Sequence, residues 1–153
     1  MITKMLKLGK IFDIMIKKSQ EKAMVEVVGA FIRDNDRFLI CQRPPNKGSA
    51  LLWEFVGGKV ENGESHSEAL IRECTEELSI KIDVGDMIAE TVYKYSDITV
   101  HLSVFEASVI EGAIRALEHN DIRWIKAEQI DEFDFCPADI PILETVKQLM
   151  NTR

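Results

Sequence analysis

Between residues 25 and 43 the chain carries two apolar runs rich in β-branched residues, VEVVGAFIR and RFLICQR, parted by the polar triplet Asp34-Asn35-Asp36. That pattern predicts a β-hairpin. Two prolines and a glycine in PPNKGSA exclude regular structure after Arg43, and LLWEFVGG then predicts a short strand running into two glycines. Asn62-Gly63 marks a turn, and Ser65 followed by Glu68 has the spacing of a capping box. A helix is therefore expected over 67–78, with Leu70, Ile71, Cys74 and Leu78 as its apolar stripe. Residues 80–84 and 87–95 read as two stretches of strand, and after a turn at Ser96-Asp97 the alternating run ITVHLSVFEASVI predicts a long antiparallel partner. DIRWI, residues 121–125, predicts another short strand, and 126–133 a short helix or turn. Pro137 is expected to open a last helix, in which Ile140, Ile142, Leu143, Val146 and Leu149 recur at near-helical spacing. Strands interrupted by one central helix and closed by one terminal helix give an α/β fold, a mixed sheet between helical layers.

The first 23 residues stand apart from this plan. Met5, Leu6, Leu8, Ile11, Phe12, Ile14, Met15 and Ile16 are interleaved with lysines, so residues 1–23 read as a basic amphipathic extension and 24–153 as the domain. The extension is expected to pack as an extra helix on the domain or on a partner subunit; a poorly ordered extension and a membrane-surface helix are the competing readings, and no stable membrane association is expected. It has no compact apolar core of a secretory signal, and Met24 is a candidate translation start. Six lysines against Asp13 and Glu21 give this segment +4, which leaves −11 on residues 24–153 of an overall −7. An acidic body argues against nucleic-acid binding through phosphates, which needs basic patches. At 153 residues one domain is the default, with no run long and apolar enough for a membrane span. The three cysteines fit neither a zinc site nor a disulfide framework, which suggests a reducing, cytoplasmic setting.

Charge matters most in GKVENGESHSEALIRECTEEL. Glu73, Glu76 and Glu77 stand at i, i+3 and i+4, so a helix projects them from one face toward a common point. Carboxylates that close repel unless a cation lies between them, and a hard divalent ion such as Mg²⁺, or Mn²⁺, suits oxygen donors. His66, His101 and His119 fit no metal spacing and are read as solvent-facing or ordinarily hydrogen-bonded. Trp53 and Trp124 read as core or pocket wall.

With Gly58, Glu64, Arg72, Glu73, Glu76, Glu77 and Ile80 in place, the stretch resembles the Nudix box, G-x5-E-x7-R-E-U-x-E-E-x-G-U, where U is a bulky aliphatic residue. Cys74 stands at one aliphatic position and Ser79 replaces the last glycine, where a positive φ would cost about 1 kcal/mol. The resemblance extends over residues 24–150 and is closest to the MutT-like branch. WEFVGGKVE resembles that branch's EFPGGK segment, Arg43 lies twelve residues before Phe55, Glu118 six before Trp124, and CPADIPIL resembles its base-reading segment.

The resemblance implies a Nudix-type α/β/α sandwich with a mixed β-sheet and Mg²⁺-dependent hydrolysis of a nucleoside triphosphate to monophosphate and pyrophosphate. It assigns metal binding to Glu73, Glu76, Glu77, Glu118 and the Gly57 carbonyl, and proton acceptance to either Glu77 or Glu118. Arg72 would orient a neighbouring carboxylate, Lys59 and Arg43 would neutralise phosphate oxygens, and Asp139 would meet the base. Asp139 also lies near the start of the last helix, where a carboxylate is stabilised by the helix dipole. Ionised, it only accepts hydrogen bonds and favours donor edges, which 8-oxo-dGTP and cytidine nucleotides both offer; protonated, it widens to acceptor edges. The expected assembly is a monomer or homodimer. Alternatives are hydrolysis of another nucleoside diphosphate linked to some other moiety, or a catalytically silent nucleotide sensor.

Overall fold

A computed structural model describes residues 8–13, 15 and 23–152. Of the 1–23 extension, residues 8–13 and 15 are helical with exposed side chains, and its remaining residues apart from Ala23 lie outside the described ones. The expectation that this extension packs against a neighbour therefore lies largely outside them too.

The domain is built from seven strands, β1 (Met24–Asp34), β2 (Arg37–Gln42), β3 (Trp53–Glu54), β4 (Val56–Lys59), β5 (Lys81–Lys94), β6 (Thr99–Glu111) and β7 (Asp121–Ile125), with helices α1 (His66–Leu78) and α2 (Ile140–Asn151). A six-residue 3-10 helix, Ala127–Glu132, connects β7 to α2. The sheet order is β3-β2-β1-β6-β5, with β4 paired to β1 and β7 to β2. β1 and β6 run parallel while the other pairs are antiparallel, so the sheet is mixed, as expected. β1 and β2 form the hairpin predicted around Asp34-Asn35-Asp36, with Asn35 at positive φ.

Side-chain alternation along β1 divides the core into two layers. Phe31 joins Phe38, Leu102, Val104, Ile142 and Val146 under α2, whereas Val28, Ala30 and Ile32 join Leu70, Cys74 and Leu78 under α1. Trp53 is a core residue, packed edge-on against Phe133.

Four expectations need correction. The 80–84 and 87–95 stretches are one strand, because register shifts beside Gly85 and Asp86 absorb the irregularity as bulges while pairing with β6 continues. α2 begins at Ile140, not Pro137: residues 136–139 form a turn closed by Asp139 N–H to the Cys136 carbonyl, and Pro141 occupies the first helical turn. Ile71 and Ile140 are exposed, since each lies at the margin of its apolar stripe; Ala69 is buried on α1 instead.

α1 fulfils its capping box. Ser65 accepts from Glu68 N–H at 3.1 Å, and Glu68 accepts from Ser65 N–H at 2.7 Å. Its last turn closes through Ser79 at φ 57°, the left-handed conformation expected where the glycine is missing.

Candidate active site

β4, the turn after it and α1 fold the acidic stretch back on itself, and Arg72 is the knot. Its Nε and Nη2 donate to both oxygens of Glu64 at 2.8 and 2.9 Å, Nη2 also donates to the Lys59 carbonyl at 3.0 Å, and Nη1 donates to Glu73 Oε1 at 2.8 Å. The same Nη1 stands 3.5 Å from Glu76 Oε2. The bidentate pair holds Glu64 well below the ordinary carboxylate range, at about 2, and fixes the guanidinium plane. Glu64, whose contact was open from sequence, is thus the anchor of Arg72 and also accepts from Glu61 N–H at 2.8 Å. The glycines of β4 are explained by proximity. A Cβ on Gly58 would overlap the Glu73 carboxylate, and one on Gly57 would overlap the Val28 carbonyl.

Two hollows meet at β4. One, of about 360 Å³, is acidic and lined by Glu54, Glu61, Glu73, Glu76, Glu77 and Glu118, with Arg43, Lys47, Arg72 and His119 among them. The other, of about 380 Å³, is mainly apolar, lined by Val27, Phe55, Tyr95, Leu102, Ala138 and Asp139 among others. Arg43, Glu54, Gly57 and Gly58 line both, so they form one continuous cleft.

Glu77 is the most perturbed acid of the first hollow. Burial, and then the carboxylates of Glu73, Glu54 and Glu118, push it up to about 9. Its Oε2 is buried with no hydrogen-bond partner. A buried carboxylate among carboxylates is short of positive charge, and the nearby Arg72 is already committed to Glu64 and Glu73. The oxygen-only donor set therefore fits a hard divalent cation. Glu73, Glu76 and Glu77 do share one hollow, but among the described residues no three His, Cys, Asp or Glu already stand as a metal cluster. The expected convergence on a single point is corrected to this extent: Arg72 draws Glu73 to itself and lies beside Glu76, whose side chain is 54% exposed.

Arg43 borders both hollows, yet it is paired. Its Nη1 donates to Glu54 Oε2 at 2.9 Å and its Nε to the Gly48 carbonyl at 2.7 Å. Lys59 is exposed at the end of β4 and lines the apolar hollow. Glu118 reaches the acidic hollow on the loop 112–120, which is tied down where Arg115 and Leu117 N–H groups donate to the Leu78 and Glu77 carbonyls. Asp139 is buried in the apolar hollow. It sits at the N-cap of α2 but makes no side-chain cap bond; its Oδ1 accepts from Phe55 N–H at 3.1 Å instead. Burial, then Glu54, raise it to about 8.

Sequence reasoning missed Glu54 and gave His119, which is hydrogen-bonded rather than solvent-facing, no place in the site. Glu54 holds Arg43, and the His119 side chain is 4% exposed, with Nε2 3.4 Å from Glu54 Oε1 and 3.8 Å from Glu77 Oε2. The adjacency of His119 to Glu118 was the available signal. His101 is hydrogen-bonded as expected, between Glu26 and Glu90.

These shifts predict a pH signature. Glu77 and Asp139 bind protons more tightly folded than unfolded, so their stabilising effect is full below about pH 4 and is lost as pH rises through 8 to 9. The chelated protein is expected to melt at progressively lower temperature from pH 6 to pH 9, and added Mg²⁺ to raise Tm more at pH 8 than at pH 6. Calorimetric melts with chelator or Mg²⁺ check this; a Mg²⁺ effect that shrinks with pH would contradict it.

The model for the NUDIX domain matches residues 27–145. A CTP pyrophosphohydrolase of Escherichia coli is 39% identical over 130 residues, covering 85% of this chain and 96% of that protein. An 8-oxo-dGTP diphosphatase of the same organism is 27% identical over 128 residues, covering 84% and 99%. The crystal structure of a MutT protein from Methanosarcina mazei superposes with a TM-score of 0.75 at 27% identity, covering 87% of this chain and 99% of that one.

Proposed function

Because this chain belongs to the Nudix hydrolases, of MutT-like type, we propose that it cleaves (deoxy)nucleoside triphosphates to the monophosphate and pyrophosphate with Mg²⁺. The observation that carries the reading is the single cleft, acidic in one half and apolar in the other, with Arg43 and Glu54 at the junction. A nucleoside triphosphate has the same division, polyanion at one end and base at the other. No helix among the described residues is long and apolar enough to cross a membrane, and a cytoplasmic nucleotide pool is the proposed source of substrate.

Glu73, Glu76, Glu77, Glu118 and the Gly57 carbonyl are the groups that would hold the metal. A bound divalent cation would supply the positive charge these carboxylates lack, lower the proton affinity of Glu77, and polarise the phosphoryl group and water. Arg72 keeps Glu73 facing the cleft. Arg43, at the junction, exchanges part of its pairing with Glu54 for a phosphate oxygen, and Lys59 at the rim meets another. Water adds to the β-phosphorus, the bond from that phosphorus to the bridging oxygen breaks, and the monophosphate leaves with that oxygen. Glu77, which the cation would hold ionised, accepts the water's proton from inside the cleft. Glu118, half-exposed and 4.0 Å from Lys47 Nζ, is the less buried candidate for that role.

At the other end Asp139, protonated near neutral pH, offers one donor as well as acceptor capacity to a base edge. Cytosine, with N3 beside its N4 amino group, and 8-oxoguanine, with O6 beside N1–H, both match such a pair. Cytidine triphosphates and 8-oxo-dGTP are the first candidates, in keeping with the relatives' names. Asp139→Ala is expected to raise KM about tenfold, the size of one lost specific hydrogen bond. In the native protein KM should rise as pH passes 8 and the donor is lost; Asp139→Asn, which keeps a donor and an acceptor at every pH, should flatten that rise. An Ala variant with the native KM and base ranking would remove Asp139 from recognition. The reading as a whole is tested by incubating the protein with Mg²⁺ and CTP, dCTP, 5-methyl-dCTP, 8-oxo-dGTP and ADP-ribose. Binding without turnover on every one of them would leave only a nucleotide sensor, and turnover of ADP-ribose alone would move the substrate to linked diphosphates.

A further inference from the structure

His119 follows Glu118 directly, yet the two side chains differ sharply, 4% exposed against 48%. The backbone is clamped on both sides of the histidine. Leu117 N–H donates to the Glu77 carbonyl at 3.1 Å and Asn120 N–H to the Gln42 carbonyl at 2.9 Å, with Asn120 Nδ2 donating to Gln42 Oε1 at 2.7 Å. This rigid mounting delivers the imidazole between two carboxylates, 3.4 Å from Glu54 Oε1 and 3.8 Å from Glu77 Oε2 at Nε2. Glu54 is itself fixed through its other oxygen by Arg43. An ionised carboxylate only accepts hydrogen bonds, so toward Glu54, the one carboxylate within hydrogen-bond distance, the ring is the natural donor. Glu77 Oε2 has no hydrogen-bond partner, and nor has Nδ1 on the far side of the ring; both are buried.

We propose that His119 is a positioning residue for Glu77: with its proton on Nε2 and leaning on Glu54, which Arg43 holds, it sets the plane in which the Glu77 carboxylate faces the cleft. A carboxylate turns easily about its last torsion, and a fixed ring edge with its N–H dipole 3.8 Å from Oε2 narrows that freedom without a hydrogen bond to it. A neutral ring suffices for this. The chain of contacts Arg43–Glu54–His119–Glu77 also links the phosphate end of the cleft to the carboxylate that handles the proton. The inference rests on Glu77 being the working carboxylate.

The test compares His119→Ala, His119→Gln and His119→Asn, reading kcat, KM and the Mn²⁺ affinity of nucleotide-free protein by electron paramagnetic resonance. A glutamine amide reaches the place of Nε2, whereas an asparagine amide reaches only that of Nδ1. Ala and Asn are expected to lower kcat and Mn²⁺ affinity about 10- to 100-fold, as loss of an outer partner of a metal ligand does, with KM changed little. Gln should stay within about fivefold of the native protein in both. Combining His119→Ala with Glu54→Gln should cost no more than the worse single change, because the two act through one contact. Ala and Asn variants with native kcat and Mn²⁺ affinity, or a Gln variant as impaired as Asn, would overturn the proposal. If the alanine variant fails to fold, the contrast between Gln and Asn, with their melting temperatures matched, decides it. Glu77→Gln separates this inference from its premise. Full activity there removes the premise, while an inactive Glu77→Gln beside fully active His119 variants removes His119 alone.

Discussion

Glu77→Gln is expected to lower kcat roughly 10²- to 10⁴-fold, the range a positioned proton acceptor contributes, while leaving the fold intact. Glutamine has the same shape but accepts no proton and carries no charge for a cation. Stability should respond in the opposite sense to activity. The native carboxyl is pushed up to about 9 by burial and by Glu73, Glu54 and Glu118. Ionising it therefore costs the metal-free protein stability as pH rises above about 4.5, its unperturbed value, and glutamine removes that cost. The chelated variant should melt at or above the native temperature at pH 8 and gain less from Mg²⁺. Steady-state kinetics and paired melts check both halves; a variant within about tenfold of native kcat would transfer the proton to Glu118 or elsewhere.

The second large effect belongs to Arg72. Arg72→Ala removes the donors that hold both oxygens of Glu64, the Lys59 carbonyl and Glu73, and leaves Glu61, Glu64, Glu73 and Glu76 without their shared counter-charge. The variant should be less stable than the native protein, because Glu64 and Glu73 lose the donors that hold them and are left beside other carboxylates. Activity should fall at least 100-fold or so as the turn after β4 and the Glu73 carboxylate lose their common anchor. Arg72→Lys should restore little. A single ammonium cannot make the bidentate contact with Glu64 and reach Glu73 and the Lys59 carbonyl together. Chemical denaturation and kinetics on the pair of variants check this, and full rescue by lysine would reduce Arg72 to a point charge.

What the sequence made legible was local. The capping box of Ser65 and Glu68, the left-handed Ser79 and the strand DIRWI all depend on residues within a few positions of one another, and all are present. The Nudix box is legible for the same reason, since most of its members lie on one helix. Glu54 and His119 were not, because they join Glu77 only when β3 and the loop 112–120 close over α1, and no periodicity records that closure. Ile71 and Ile140 show the converse limit. A helical wheel assigns a stripe, but the neighbours that cover its margin come from elsewhere in the fold. The start of α2 was misplaced because Pro137 and Pro141 give the same signal, and only the turn hydrogen bond from Asp139 to Cys136 separates them. Asp139 itself was found by resemblance, whereas its bond to Phe55 N–H and its raised proton affinity depend on burial that only the folded chain supplies.

The most direct test of the acidic cleft as a pyrophosphohydrolase site is a single turnover with CTP or 8-oxo-dGTP in ¹⁸O-labelled water with Mg²⁺, products read by mass spectrometry. Unlabelled monophosphate and one ¹⁸O in pyrophosphate are expected, with no reaction under chelator. Label in the monophosphate, release of orthophosphate as the first product, or turnover undiminished by chelation would contradict that reading.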